Sequence, residues 1–366
     1  MQDFLAGLRR AAAILPVLGG LCALAAGPPE AKDPLAAEID RWSRYLQANT
    51  SKDEGWAQVK GAVGPLLQGA ADALRDGRNQ LALLRLATVR HYLSADRYLG
   101  GLPAGALSDA AGLETEWTRV GREIRGDLAA TDPAALDGVR PASVRAIAEA
   151  AAAQVKTYYD ASLEYGRNTV PRSGFFYIGI AQAQRELVSL CRALSRPSPL
   201  AAPPLRSLSR ELDSLEGELL AAYRPPAAID RHGEFIAASS MLKEARELDA
   251  AGLRYGATLR YLQAVLRLAP LRPPGKPLEP AALAGRLQEL EARLSGGGVD
   301  HSIGRLFLEA AQADVEAARP GKTADAAQAI AVDILPRYFV ALAPARPEPP
   351  KPAPAVTVTL VRWPYT

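Results

Sequence analysis

The chain has 366 residues, of which 71 are Ala and 51 are Leu, and its 43 basic residues nearly balance its 40 acidic residues. Ala and Leu favour helices, whereas a sheet protein would be richer in aromatic and β-branched residues than this chain, which is only 6% aromatic. Two Cys and three His exclude a disulfide scaffold and a Cys/His zinc module, and the near-neutral charge gives no nucleic-acid signal.

The first 25 residues have the pattern of a secretory signal peptide. Arg9 and Arg10 form a basic start, a 16-residue uncharged stretch follows, and Ala23-Leu24-Ala25 is a small-x-small cleavage site. We therefore expect a protein exported to the periplasm or the medium after cleavage near Ala25, with residues 26–33 as a linker. An uncleaved membrane anchor is the alternative, and membrane contact would then be limited to residues 11–27.

From Pro34 onward apolar residues recur at helical spacing, and Pro and Gly interrupt the pattern at short intervals. These breaks predict about twelve helices, near residues 34–49, 56–76, 79–99, 106–130, 141–165, 174–195, 204–222, 226–252, 257–269, 280–294, 301–318 and 323–342. Short joins predict antiparallel packing of neighbours. We expect an all-α fold of stacked antiparallel hairpins, similar to an α-solenoid. The groups 34–196 and 204–343 form either one array or two bodies.

Two patterns indicate repeated hairpins. A six-residue pattern that begins at Leu74, Leu163 and Leu253 predicts an internal repeat of about 90 residues. Residues 241–270, MLKEARELDAAGLRYGATLRYLQAVLRLAP, carry small residues in a first helix, a central Leu-x-x-Gly and a second helix that Pro270 stops. This stretch resembles a tetratricopeptide repeat. The resemblance implies a concave surface that binds a protein or peptide, without catalysis.

Aromatic residues are densest between residues 158 and 177, where Arg and Asn residues lie between them. These rings either fill the joint between two helices or, with an inserted loop from Arg167 to Gly174, rim a groove. Tyr and Arg are favoured at binding hot spots. The candidate partner-binding residues here are therefore Tyr158, Tyr165, Arg167, Arg172, Phe176 and Tyr177.

The C-terminal tail changes character abruptly. Six prolines fall between residues 344 and 354, so we expect residues 344–355 to form an extended polyproline spacer. Residues 356–366 begin with an alternating Val/Thr run that has high strand propensity. This short strand either adds to the edge of a partner's sheet or belongs to a tail that folds back or stays disordered. Its candidate partner-binding residues are Val358, Leu360, Trp363 and Tyr365.

Motifs for catalysis and cofactor binding are incomplete. Gly321-Lys322-Thr323 lacks the first glycine of a phosphate-binding loop, because residue 316 is Glu. The His residues lack the spacing of a helical zinc pair, and the flanking leucines indicate that Cys191 is buried and inert. We therefore predict no catalytic residue, no cofactor and no metal ligand.

The leading hypothesis is an exported, non-catalytic helical scaffold that binds another protein or peptide of the bacterial cell envelope. One alternative is an exported helical enzyme that acts on glycans through carboxylates brought together by the fold. The other is a membrane-anchored helical protein that keeps its N-terminal segment. The partner's identity and the oligomeric state stay open at this point.

Overall fold

The computed structural model describes residues 33–49, 54–103, 105–128, 133–224, 229–272, 277–318 and 324–342. Within these ranges the chain forms twelve helices and no sheet, and Ala201 and Val299 make an isolated parallel bridge. The predicted all-α class is confirmed. The signal peptide predicted for residues 1–25, the spacer at 344–355 and the strand at 356–366 lie outside the described residues.

The helices are numbered in chain order. They are α1 (Pro34–Ala48), α2 (Glu54–Arg75), α3 (Asn79–Gly100), α4 (Ala110–Leu128), α5 (Ala142–Asn168), α6 (Pro171–Leu194), α7 (Ser209–Ala222), α8 (His232–Ala250), α9 (Arg254–Leu268), α10 (Pro280–Ser295) and α11 (Ser302–Ala317). The twelfth, α12, combines Asp325–Ala329 and Leu335–Leu342 with a π-helical segment, Ile330–Ile334, between them.

Proline begins several of these helices where the prediction placed breaks. Pro171 occupies the first turn of α6, where its missing N–H has no intrahelical acceptor to lose. The preceding helix, α5, continues to Asn168. The loop predicted from Arg167 to Gly174 is therefore wrong, since only Thr169 and Val170 separate α5 from α6. The result is a long, tightly joined hairpin.

Helix contacts repeat in the two halves of the chain, α1–α6 and α7–α12. In the first half α2 packs on α3, α3 packs on α6, and α5 packs on α4 and α6. The second half has the same order: α8 packs on α9, α9 packs on α12, and α11 packs on α10 and α12. The halves meet reciprocally, because α5 packs on α9 and α11 packs on α3. The contact between α3 and α11 joins the first and last hairpins, which an open α-solenoid would keep apart.

Residue patterns support the similarity of the halves. The buried residues of α1 match those at the start of α7 at a constant spacing, as Leu35, Ile39 and Trp42 against Leu208, Leu212 and Leu215. The turns before α3 and α9 both contain a glycine with positive φ, Gly77 at 75° and Gly252 at 78°. Only glycine adopts this conformation readily.

This similarity differs from the predicted 90-residue repeat, which is wrong. Of its three glycines, Gly77 lies in a turn, whereas Gly166 and Gly256 lie inside α5 and α9. The stretch that resembles a tetratricopeptide repeat, residues 241–270, forms most of a hairpin from α8 and α9 with its turn at Gly252.

A buried glutamate from the fifth helix of each half caps the third helix of the other half. The Gly256 N–H donates to Glu149 Oε2 at 2.8 Å, and the Leu81 N–H donates to Glu309 Oε2 at 3.0 Å. Both donors lie in a first helical turn, where backbone N–H groups lack intrahelical partners. Burial raises the pKa of both carboxyls, to about 7 for Glu309. These reciprocal caps connect the two halves.

Stability should depend on the ionisation of Glu309. Because burial raises its pKa from 4.5 to about 7, its contribution to stability is full below pH 4.5 and is lost as the pH rises through 7. We expect the free energy of unfolding of the wild type to fall, relative to Glu309→Gln, by on the order of 2 kcal/mol over this interval. Urea unfolding at several pH values measures this difference. If the free energies of unfolding of the two proteins change in parallel with pH, Glu309 does not have the raised pKa.

The main hydrophobic core runs through both halves, from Leu35 to Ala341. A second, smaller cluster lies where α4 covers the ends of α3, α5 and α6, and includes Leu99, Leu113, Val120, Ile124, Val155, Phe175, Ile178 and Ala181. It exists because α5 has 27 residues whereas its counterpart α11 has 16. The first half thus carries an extended end, and the candidate site lies on it.

Candidate functional site

A continuous series of rings follows the extended hairpin, and we call it the aromatic strip: Tyr92, His91, Tyr158, Tyr177 and Tyr165. Tyr177 of α6 stacks on both tyrosines of α5, with centroid distances of 4.6 Å to Tyr165 and 5.7 Å to Tyr158. His91 of α3 meets Tyr158 edge-on at 5.2 Å and Tyr92 at 5.0 Å. The path from ring to ring covers roughly 20 Å.

The strip is partly buried and is most exposed at one end. Tyr165 is 47% exposed, and the other four rings are partly exposed. Burial nevertheless raises the pKa of Tyr92 and that of Tyr177 to about 12. The hydroxyls therefore stay protonated at neutral pH and can donate hydrogen bonds to a ligand.

His91 is neutral and held in one orientation. Burial, together with the nearby charge of Arg260, lowers the pKa of His91 to about 4. Its Nδ1 lies 3.2 Å from the side-chain amide nitrogen of Gln184. An amide nitrogen can only donate, so Nδ1 accepts and the ring proton is on Nε2.

A polar group borders the strip on the side of the second half. Glu244 of α8 accepts a hydrogen bond from Gln154 Nε2 at 2.9 Å and pairs with Arg260 Nε at 2.9 Å. Arg260 in turn lies close enough to Tyr158 that its charge offsets part of the burial effect on the tyrosine pKa. The strip therefore sits at the junction of the two halves, beside polar side chains from α5, α8 and α9.

The structure brings three of the predicted residues together in the strip: Tyr158, Tyr165 and Tyr177. Phe176 lies at the edge of Tyr177, 6.2 Å away, and packs against the second hydrophobic cluster. Arg167 is exposed and pairs with Glu114 of α4, with Nε and Oε1 3.0 Å apart, and Arg172 is exposed at the start of α6. The candidates Val358, Leu360, Trp363 and Tyr365 lie outside the described residues.

Sequence reasoning missed His91, Tyr92, Gln184, Glu244 and Arg260. The adjacent pair His91-Tyr92 is a local signal that could have been noticed. The other three residues are brought to the strip by packing of α6 on α3 and of α8 and α9 on α5, which the sequence pattern did not predict.

The strip is present in one half only. At the positions of the second half that match His91 and Tyr158, the chain has Leu266 and Ala318. Arg260 and Arg85 occupy matching positions of the two halves but have different partners. Arg260 pairs with Glu244, whereas Arg85 donates to the Gly69 carbonyl at 2.7 Å. Within the described residues, the strip therefore belongs to the extended end of the first half, where α5 is longer than its counterpart α11.

The other buried ionisable groups of the described residues serve the fold. Burial raises the pKa of Glu149, Glu309 and Asp314, and each carboxylate accepts a hydrogen bond from the first turn of a helix. Burial also raises the pKa of the Cys191 thiol to about 12, which leaves it protonated and unreactive. Within the described ranges no group of three or more His, Cys, Asp or Glu residues is arranged to hold a metal ion.

Comparison with known proteins gives no match: no family profile, no curated protein and no solved structure is significantly similar to this chain. Among the helices that the structure describes, none combines the length and apolar character needed to cross a membrane.

Proposed function

We propose that the protein is an exported, non-catalytic scaffold of stacked helical hairpins that binds another cell-envelope protein or peptide through the aromatic strip. The observation that carries the proposal is a series of five partly exposed rings on the extended end of the first half, which has no counterpart among the described residues of the second half. Export rests on the pattern of residues 1–25.

Three properties of the strip support binding. Tyrosines supply large contact area and lose little side-chain entropy, so they are enriched at hot spots. The rings already contact one another, stacked at Tyr177 and edge-on at His91, which lowers the cost of ordering them when a ligand binds. His91 Nε2, the tyrosine hydroxyls and the Glu244–Arg260 pair supply hydrogen-bonding groups beside the apolar surface.

The shape of the strip favours an elongated ligand. The path from ring to ring is at most roughly 20 Å, which is the length of an extended peptide of up to about six residues at about 3.1–3.4 Å per residue. A globular small molecule would contact only one or two of the rings. We therefore assign the binding role to an extended protein segment.

The proposal is tested by placing a photoreactive amino acid at position 165 in the native host, identifying the cross-linked partner, and titrating the purified partner. Tyr165→Ala is expected to weaken binding about tenfold or more, because truncating a hot-spot tyrosine removes over 1 kcal/mol. Tyr165 is exposed at its tip, so the fold should tolerate the change. Tyr223→Ala is the matched control, since Tyr223 also stacks on a ring, Phe235, at 4.2 Å, away from the strip. Equal losses for both variants would contradict the proposal.

A further inference from the structure

We propose that the aromatic strip binds the chain's own proline-rich segment, residues 344–354, as a polyproline II helix within the same molecule. The inference rests on the proposed function, because it takes the strip as the binding site and names its first occupant. An external partner would then have to displace this segment or add to it.

The chemistry of the strip fits proline. Grooves lined by aromatic rings are the recurring way in which proteins hold polyproline II segments, because pyrrolidine rings pack between neighbouring aromatic side chains. Here Tyr158, Tyr177 and Tyr165 stand in sequence at 5.7 and 4.6 Å and stack on one another, so prolines of a bound segment would pack across the exposed sides of the rings. Backbone carbonyls of a proline-rich segment are unpaired and can accept hydrogen bonds from tyrosine hydroxyls and His91 Nε2.

The segment has the matching composition. Six of the eleven residues from 344 to 354 are proline, and three overlapping Pro-x-x-Pro spacings occur within PARPEPPKPAP. Such a segment already favours the polyproline II conformation, so ordering it on a surface costs little entropy.

The segment is long enough to reach the strip. The end of α12 and the strip lie on different sides of α9: Arg337 of α12 donates to the Tyr261 hydroxyl at 3.1 Å, while the adjacent Arg260 pairs with Glu244, which borders the strip. A helix with its side chains is about 10–12 Å across, and Leu342 is about 8 Å further along α12 than Arg337. Residues 343–354 extend about 37 Å as polyproline II, so roughly the first half of the segment can cross α9, and the second half, with Pro349, Pro350, Pro352 and Pro354, can lie along the tyrosines.

Attachment to the same chain makes weak binding sufficient. Short tethers give effective concentrations in the millimolar range. A segment with a Kd of about 0.1 mM would then cover the strip roughly 90% of the time. The exposed ring of Tyr165 is therefore expected to be shielded in the full-length chain.

The test compares tyrosine nitration in the full-length chain and in a variant that carries P344A, P347A, P349A, P350A, P352A and P354A. Mass spectrometry gives the nitration rate at each tyrosine. We expect Tyr165 to react about tenfold faster in the variant, and Tyr223, outside the strip, to react at the same rate in both proteins. Equal rates at Tyr165 would overturn the proposal.

Two further arms complete the test. A synthetic peptide of residues 343–355, added to the variant, should restore the protection of Tyr165, and the same peptide with Ala for every Pro should not. If the proline peptide fails to protect, the proposal is wrong. Protection in the wild type should also survive dilution, since loss on dilution would mean that the segment binds a second copy. These outcomes are separate from partner cross-linking at position 165, which can succeed or fail independently.

Discussion

Replacing Glu149 by Ala is expected to lower the free energy of unfolding by about 3 kcal/mol. Glu149 has no exposed surface, accepts the Gly256 N–H at 2.8 Å and pairs with Arg145 Nε at 2.8 Å. Without the carboxylate, a buried N–H in the first turn of α9 has no acceptor, and Arg145 loses the partner on its own helix. Because α5 and α9 belong to different halves, the change weakens the contact between the halves.

Glu149→Gln separates the two contributions. The amide oxygen can still accept from Gly256, but the amide NH2 then faces the Arg145 Nε–H, so the ion pair is lost and two donors meet. We expect a decrease of about 2 kcal/mol. Glu309→Ala is the matched change at the other reciprocal cap and should cost less than Glu149→Ala, because it removes the cap on Leu81 without breaking an ion pair like that of Glu149 with Arg145. Urea unfolding of all three variants provides the comparison. If Glu149→Ala is as stable as the wild type, the capping role is wrong.

The positions of the helices could be predicted because helix formation is largely local. Ala and Leu supply propensity, and Pro and Gly mark the ends. The predicted helix at 280–294 and the observed Pro280–Ser295 differ by one residue. The larger errors arose at prolines: Pro171 begins a helix that the prediction started at residue 174. Proline is compatible with a first turn as well as with a break, and local sequence does not decide between the two.

The similarity of the two halves could not be predicted from short motifs. In a chain so rich in Ala and Leu, segments such as those at Leu74 and Leu163 resemble one another by composition. The true correspondence is carried by burial, for example Trp42 against Leu215, and by a glutamate that caps a helix of the other half. Burial and long-range capping depend on the packed fold.

Part of the candidate site was predictable because some of its residues are close in sequence. Tyr158, Tyr165 and Tyr177 are close in sequence, and a hairpin of two long helices was enough to suggest that they meet. His91 and Arg260 come from α3 and α9, and their place beside Tyr158 depends on how the two halves pack. The site thus combines a local aromatic cluster with polar groups that only tertiary structure supplies.

Adding a single methyl group at Gly174 is expected to destabilise the extended hairpin by about 3 kcal/mol. In Gly174→Ala the new Cβ would lie 2.7 Å from the Ser162 carbonyl oxygen and 2.7 Å from Leu113 Cδ2. The first contact is with backbone, which cannot rotate away, so α6 must move off α5. Tyr177 follows one turn later on α6, and its stacking on Tyr165 should be lost with the displacement.

Gly217→Ala is the matched control, because it makes the same chemical change inside an exposed stretch of α7 where nothing lies within 4 Å of the added Cβ. There the substitution should raise stability by about 0.5–1 kcal/mol, since Ala favours helix over Gly. Thermal unfolding of both variants measures the two effects. Opposite signs are expected, because one glycine permits a close helix approach and the other does not. A stabilising or neutral Gly174→Ala would mean that α5 and α6 are not in close contact at this position.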